Sequence, residues 1–208
     1  MLMQRRVAAL TLALLVAACS AGEPARELLN SERIEQSFGS YGVNVLVAEP
    51  GLRISSLYST AAGVQTTRTL AVVEWRREVD PRLTGAHTAI LGGASIGATF
   101  EGAGWTVAKR NLYFGEVPAP EAVSRLMRIP AGSALALHGY ALSVARGDDE
   151  IDYATIAELH HPDYLDLAGL DAIYGSVQPA DAGPGTSVTA LVDVALARLA
   201  GLSSERPE

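Results

Sequence analysis

Cysteine occurs once in this chain, at Cys19, and lysine once, at Lys109. A lone cysteine excludes an internal disulfide framework, so a fold must be held by packing. Nor is there an excess of basic residues: 16 Lys and Arg stand against 23 Asp and Glu, a net charge of −7. That balance excludes general nucleic-acid binding and electrostatic docking on anionic lipid. The apolar run from Val7 to Ala18 falls short of the roughly 20 residues a spanning helix needs. No tandem repeat at solenoid periods occurs. The scarcity of lysine beside common arginine reflects a GC-rich genome as readily as a function.

What is present begins at the N-terminus. Arg5 and Arg6 precede the apolar run, and Val16-Ala17-Ala18-Cys19 closes it. This is the pattern of a bacterial lipoprotein signal: a positive start, a short apolar segment and small residues before cysteine. The expected chemistry is a diacylglycerol thioether on Cys19, cleavage before it and acylation of the new N-terminus. Ser20 after the cysteine, rather than Asp, favours the outer membrane facing the periplasm. Loss of Arg5 and Arg6 takes the net charge from −7 to −9, so the acyl chains must do the anchoring. The organisation expected is a signal peptide over 1–18, a tether over 19–25, one domain over 26–176, and a linker, helix and tail over 177–208.

Periodicity and turn chemistry predict a helix over 24–38, ended by Gly39-Ser40-Tyr41-Gly42. Strands follow over 43–48, 53–59 and 66–75, then an irregular stretch over 81–93. A short helix over 94–100, a strand over 105–114 and a short helix over 120–127 come next. Two strands over 134–146 and 151–161 form a hairpin with a polar tip at Gly147–Glu150. Helices over 164–174 and 187–200 flank a Pro/Gly-rich linker at 178–185. Antiparallel strands joined by hairpins, with helices at the ends and in connections, define an α+β class.

Three charged residues interrupt apolar strand patterns: Arg53, Arg68 and Glu158. Strand alternation places Glu158 with Asp152, Ala154, Ile156 and His160, and Arg68 with Leu70 and Val72. A buried guanidinium requires an anionic partner, so these residues wall a site, form structural ion pairs or occupy exposed strand positions. His160 and His161 face opposite ways on a strand and do not share a metal; no metal and no cofactor is expected. Serines and four histidines are present without support for a Ser/His/Asp triad. Gly92-Gly93-Ala94-Ser95-Ile96-Gly97 precedes a short helix; it is either a tight turn or a cradle for a carboxylate or phosphate.

Taken in order, these segments resemble the chorismate lyase-like superfamily, which includes chorismate pyruvate-lyase and the UTRA ligand-sensing domains of transcription regulators. From about Ser31 to Pro162 the likeness is to the lyases. Ser31-Glu32-Arg33-Ile34 looks like the first helix, with Ile34 at its ligand-contacting position. Leu52-Arg53-Ile54 and Arg68-Thr69-Leu70-Ala71-Val72 look like the strands carrying two substrate-binding arginines. Ser95-Ile96-Gly97 looks like the turn whose backbone faces the ligand, and Glu158-Leu159-His160-His161-Pro162 like the segment with the acidic residue. Pro118–Gly132, Ile151-Asp152-Tyr153 and Asp163-Tyr164 look more like a UTRA domain. There are departures. No proline precedes Ile96, about twenty extra residues precede the Glu158 strand, and residues 178–200 have no counterpart. No DNA-binding winged helix accompanies the domain, so a transcription regulator is not expected.

The resemblance implies three readings. A binding domain would hold a small anionic or aromatic carboxylate, with Arg53 and Arg68 on the anion, Ile34, Ile96 and Gly97 around the ligand, and Glu158 on its hydroxyls. A carbon–oxygen lyase would release 4-hydroxybenzoate and pyruvate from chorismate, with Glu158 as the catalytic acid. A structural envelope lipoprotein would pair the arginines with Glu158. Export separates the domain from cytoplasmic chorismate, which favours binding over lysis. The oligomeric state is not indicated.

Overall fold

The computed structural model describes residues 27–75, 78–175, 177 and 188–204. The lipoprotein signal, Cys19, the tether and the predicted linker at 178–185 lie outside the described residues.

A helix α1 (Asn30–Phe38) leads into three strands, β1 (Gly42–Glu49), β2 (Leu52–Ala61) and β3 (Val64–Trp75). A connection carrying α2 (Thr84–Leu91) and α3 (Ile96–Gly102) reaches β4 (Thr106–Pro118). After α4 (Glu121–Met127) come β5 (Ala134–Arg146), β6 (Asp149–His160), α5 (Leu167–Tyr174) and α6 (Val188–Ser204). The six strands form one antiparallel sheet in the order β1-β2-β3-β6-β5-β4. Two three-stranded meanders thus meet along β3 and β6. The fold is α+β, an antiparallel sheet with flanking helices, as the strand and hairpin signals lead one to expect.

The stretch over 81–93, read from sequence as irregular, is instead a 3-10 turn over Pro81–Leu83 followed by α2. Glycines at 85, 92 and 93 mask its pattern. Burial of Leu83 and Ile90 under the sheet supplies what propensity lacks.

Period-two alternation gives the sheet two apolar faces. On one, Ile54, Leu70, Val72, Leu135, Leu137, Ala157 and Leu159 pack under α4 and α6. From α6 come Val188, Leu191, Val192, Ala195 and Leu199, at helical spacing. A Cβ on Gly139 of β5 would lie 2.4 Å from Val188, so the start of α6 seats where the strand has no side chain. On the other face Val73, Trp75, Tyr140, Leu142 and Ile156 pack against Leu83, Ile90, Phe100 and Trp105. This second face also carries α1 and holds the cavity. Among the described residues no helix is long and apolar enough to cross a membrane.

Among the described residues the register shifts at four bulges, and two of them displace residues from where strict alternation sets them. In β3, Thr69 pairs with Leu57 and Thr67 with Tyr58, so Arg68 has no partner across the ladder. In β6, Ala154 pairs with Leu142 and Asp152 with Ser143, which leaves Tyr153 as the extra residue. Tyr153 therefore joins Ala154 and Ile156 in the same cluster, contrary to strict alternation, which sets it on the opposite face.

Candidate functional site

A cavity of about 70 Å³ lies between the sheet and α1, beside the start of α3. Every second residue of five strands forms its floor: Arg53, Ser55 and Leu57; Ala71 and Val73; Ile156 and Glu158; Tyr140 and Leu142; Val107 and Lys109. Leu29, Asn30 and Ser31 at the start of α1, Tyr41, and Ser95-Ile96-Gly97 close it from above.

Arg53 is 3% exposed. Its Nε donates to Ser55 Oγ at 2.7 Å, and Nη1 donates to the carbonyls of Ile90 (2.8 Å) and Ala94 (3.1 Å). Nη2 takes no part in these bonds. No carboxylate among the described residues forms an ion pair with Arg53. Burial pulls its pKa down, and Tyr41 and Tyr153 oppose that shift.

Glu158 is buried at the far side of the floor. Its Oε1 accepts from Asn30 Nδ2 at 3.0 Å. Asn30 also donates to Thr69 Oγ1 at 3.2 Å and accepts from the Tyr164 hydroxyl at 2.6 Å. Burial raises the proton affinity of Glu158, while Lys109, Asn30 and Tyr140 oppose it. Lys109 reaches Glu27 at 3.4 Å and lies 5.2 Å and 5.0 Å from the ring centres of Tyr140 and Tyr174.

Of the six residues drawn from the resemblance, the structure brings Arg53, Glu158, Ile96 and Gly97 to one cavity. Arg68 and Ile34 do not line it. The bulge turns Arg68 aside: its Nε donates to Ser59 Oγ at 2.9 Å and its guanidinium lies 3.8 Å from the centre of the Phe38 ring. Ile34 is fully buried one turn beyond Asn30. The backbone at Gly97 approaches Leu29 so closely that a Cβ there would meet Leu29 Cδ2 at 2.6 Å.

Asn30, Tyr41, Lys109 and Tyr140 are site residues that sequence reasoning missed. The solitary lysine in an alternating strand was a usable signal; the other three gave none. Gly93-Ala94-Ser95-Ile96-Gly97 also has the Gly-x-Ser-x-Gly spacing of a nucleophile elbow. Such an elbow joins a strand to a helix, whereas this one joins α2 to α3. Among the described residues no histidine bonds to Ser95, whose hydroxyl interacts with Tyr41.

A second cluster lies beside the cavity. His138 of β5 stands opposite Glu158, and Ala136 opposite His160, across the β5–β6 ladder. His138 Nε2 meets Asn111 Oδ1 at 2.9 Å, and Asn111 Nδ2 donates to the Tyr174 carbonyl at 3.0 Å. His160 Nδ1 meets Thr69 Oγ1 at 3.1 Å. Burial depresses both imidazoles: His138 to about 2, with His160 and Lys109 adding to the effect, and His160 to about 3, with Lys109 adding.

No protein-family model matches the chain, and no curated protein matches it. Solved structures similar to it include the C-terminal domain of PhnF, at 14% identity and a TM-score of 0.43, with 62% of this chain and 87% of that one covered. The C-terminal domain of Yurk from Bacillus subtilis is similar at 14% identity and a TM-score of 0.37, covering 60% and 88%. The ligand-binding domain of a protein described as a GntR-family transcriptional regulator, from Bordetella bronchiseptica, is similar at 10% identity and a TM-score of 0.37, covering 61% and 88%. Likenesses at this level concern the course of the chain and say nothing of a ligand or an activity.

Proposed function

We propose that this chain is a lipid-anchored envelope protein whose domain binds a compact carboxylate, aromatic or aliphatic, in the cavity. The observation that carries the reading is Arg53: a buried guanidinium held by neutral acceptors, with no carboxylate of the described residues paired to it. Burying such a charge unpaired is costly, and a guest carboxylate supplies the missing charge in a geometry that suits arginine. The floor between Arg53 and Glu158 is mostly apolar, which suits the body of such a ligand. Glu158 and Tyr140 at the far side offer hydrogen bonds to a ligand hydroxyl. By the same measure one water needs about 10–15 Å³, so a cavity of about 70 Å³ takes a compact guest.

A chorismate-cleaving lyase is the second reading, favoured by the raised proton affinity of Glu158, which suits a general acid. It needs a cation for each of two carboxylates. With Arg68 outside the cavity, the second would be Lys109, already engaged by Glu27. One guanidinium fits a monocarboxylate better.

The test is calorimetry on the purified full chain in mild detergent, with benzoate, 4-hydroxybenzoate and neutral benzamide. Binding of a carboxylate but not of the amide, lost in folded Arg53→Gln, is expected. No binding, or binding indifferent to Arg53→Gln, overturns the reading. Incubation with chorismate and chromatography for 4-hydroxybenzoate decides the lyase reading. The anchor rests on the pattern ending at Cys19; the mass of the N-terminal peptide tests it, and an unmodified Cys19 would refute it.

A further inference from the structure

His138, Glu158 and His160 are all buried, and each presents one side-chain atom with no hydrogen-bond partner: Nδ1, Oε2 and Nε2. One ligand atom from each of the three residues lies within 4.8 Å of those of the other two. Orphaned buried polar atoms are rare and call for an explanation; here three of them fall in one cluster. All are first-rank metal ligands, and the set is two imidazoles and one carboxylate.

The geometry points to a site for a divalent transition-metal cation of the zinc type, held by His138 Nδ1, Glu158 Oε2 and His160 Nε2. Its fourth position is left to solvent or a guest. The site departs from the expectation of no metal, and it stands without any ligand at Arg53.

The surroundings are those of a ligand set. Metal-binding side chains are oriented by partners on their other atoms, and each of the three has one. Asn111 spends its amide nitrogen on the Tyr174 carbonyl, so its Oδ1 accepts from His138 Nε2–H. That leaves the lone pair on His138 Nδ1. His160 is held through Nδ1 by Thr69, and Glu158 through Oε1 by Asn30. Glu158 Oε2 and His160 Nε2 are 3.9 Å apart; around zinc they would close to about 3.4 Å, a shift of a few tenths of an ångström. Sequence reasoning considered only the adjacent pair His160 and His161, and the third ligand comes from another strand.

The competing occupant is a single ordered water, bonded to all three atoms. The full chain, purified in mild detergent and stripped with chelator, is titrated with Co²⁺ followed by visible absorption, and with Zn²⁺ against a chromophoric chelator. One cation per chain is expected, with affinity falling more than about 100-fold in His138→Gln and in His160→Gln, and unchanged in His87→Gln. Because both imidazoles are buried, the wild-type protein carries a second measurement: X-ray absorption of its zinc form, expected to show two imidazole ligands. No stoichiometric uptake means water alone; an affinity unchanged in folded variants, or a zinc shell without two imidazoles, means a cation held elsewhere; each overturns the proposal.

Discussion

His138 and Glu158 stand directly opposite each other on β5 and β6, and each carries a buried side-chain atom with no hydrogen-bond partner, Nδ1 of one and Oε2 of the other. No side chain of the described residues is within hydrogen-bond geometry of that carboxylate oxygen, and burial works against the charged form, opposed by Lys109, Asn30 and Tyr140. Glu158→Gln keeps an oxygen for Asn30 and puts an amide donor where Oε2 stood. Its stability is expected to match the wild type or exceed it by up to about 1 kcal/mol. Glu158→Leu leaves one N–H of the Asn30 amide without its acceptor, the other staying on Thr69 Oγ1, and is expected to cost about 1–3 kcal/mol. Urea unfolding in chelator separates the two; equal losses would mean that the fold needs the carboxylate itself.

A second prediction concerns the β2–β3 turn. Ala62 and Gly63 are both left-handed, at φ +49° and +78°, the pattern of a two-residue turn in which both central residues need positive φ. Glycine suits this; alanine is strained there. Ala62→Gly is expected to stabilise the protein by about 0.5–1 kcal/mol, read as a rise in the urea midpoint with unchanged slope. Ala62→Val, with a branched Cβ at the same φ, moves it the other way.

The outline of the fold was legible because hairpins announce themselves. Six strand signals and the polar tip at Gly147–Glu150 led to an antiparallel sheet. What escaped is instructive. The α2 segment has a glycine inside it and two after it, and only tertiary burial of Leu83 and Ile90 makes it helical. Alternation put Glu158 and His160 on one face correctly, because no bulge interrupts β6 between them. It misplaced Tyr153 and Arg68, because each sits where one strand carries a residue its neighbour does not match. A bulge depends on pairing with another strand, so a single strand's pattern does not reveal it. The same reason hid His138, which acquires meaning only from the residue across from it.

His87 provides a pH prediction. Its Nδ1 meets the Tyr153 hydroxyl at 2.8 Å and its ring packs edge-on to Trp75, 5.1 Å between centres. Burial holds its pKa below the usual imidazole value. The unfolded chain therefore takes the proton first, near pH 6.5. The stability His87 contributes is whole above that pH, declines as pH falls through it, and levels off below the folded value. Urea midpoints between pH 8 and pH 5 should fall more steeply for the wild type than for His87→Gln. Parallel curves would show that the ring is protonated as readily in the folded protein as in the unfolded chain.

Arg53 and Arg68 were drawn from the sequence as a pair, and the structure gives them different work. Arg68 stacks on Phe38 and bonds Ser59 away from the cavity. Its replacement by Gln removes a cation–π contact and a hydrogen bond, for an expected loss of about 1 kcal/mol of stability and no change in carboxylate affinity. Arg53→Gln removes the cavity's buried guanidinium and also its bonds to the carbonyls of Ile90 and Ala94, so it is expected to lower both stability and affinity. Arg53→Lys keeps the charge but not the planar fork. It should recover part of the affinity for benzoate while giving up the separate bond that Nε donates to Ser55 Oγ. Calorimetry beside urea unfolding on all three variants decides it. If Arg68→Gln weakens carboxylate binding as much as Arg53→Gln does, the anion site is not the cavity at Arg53.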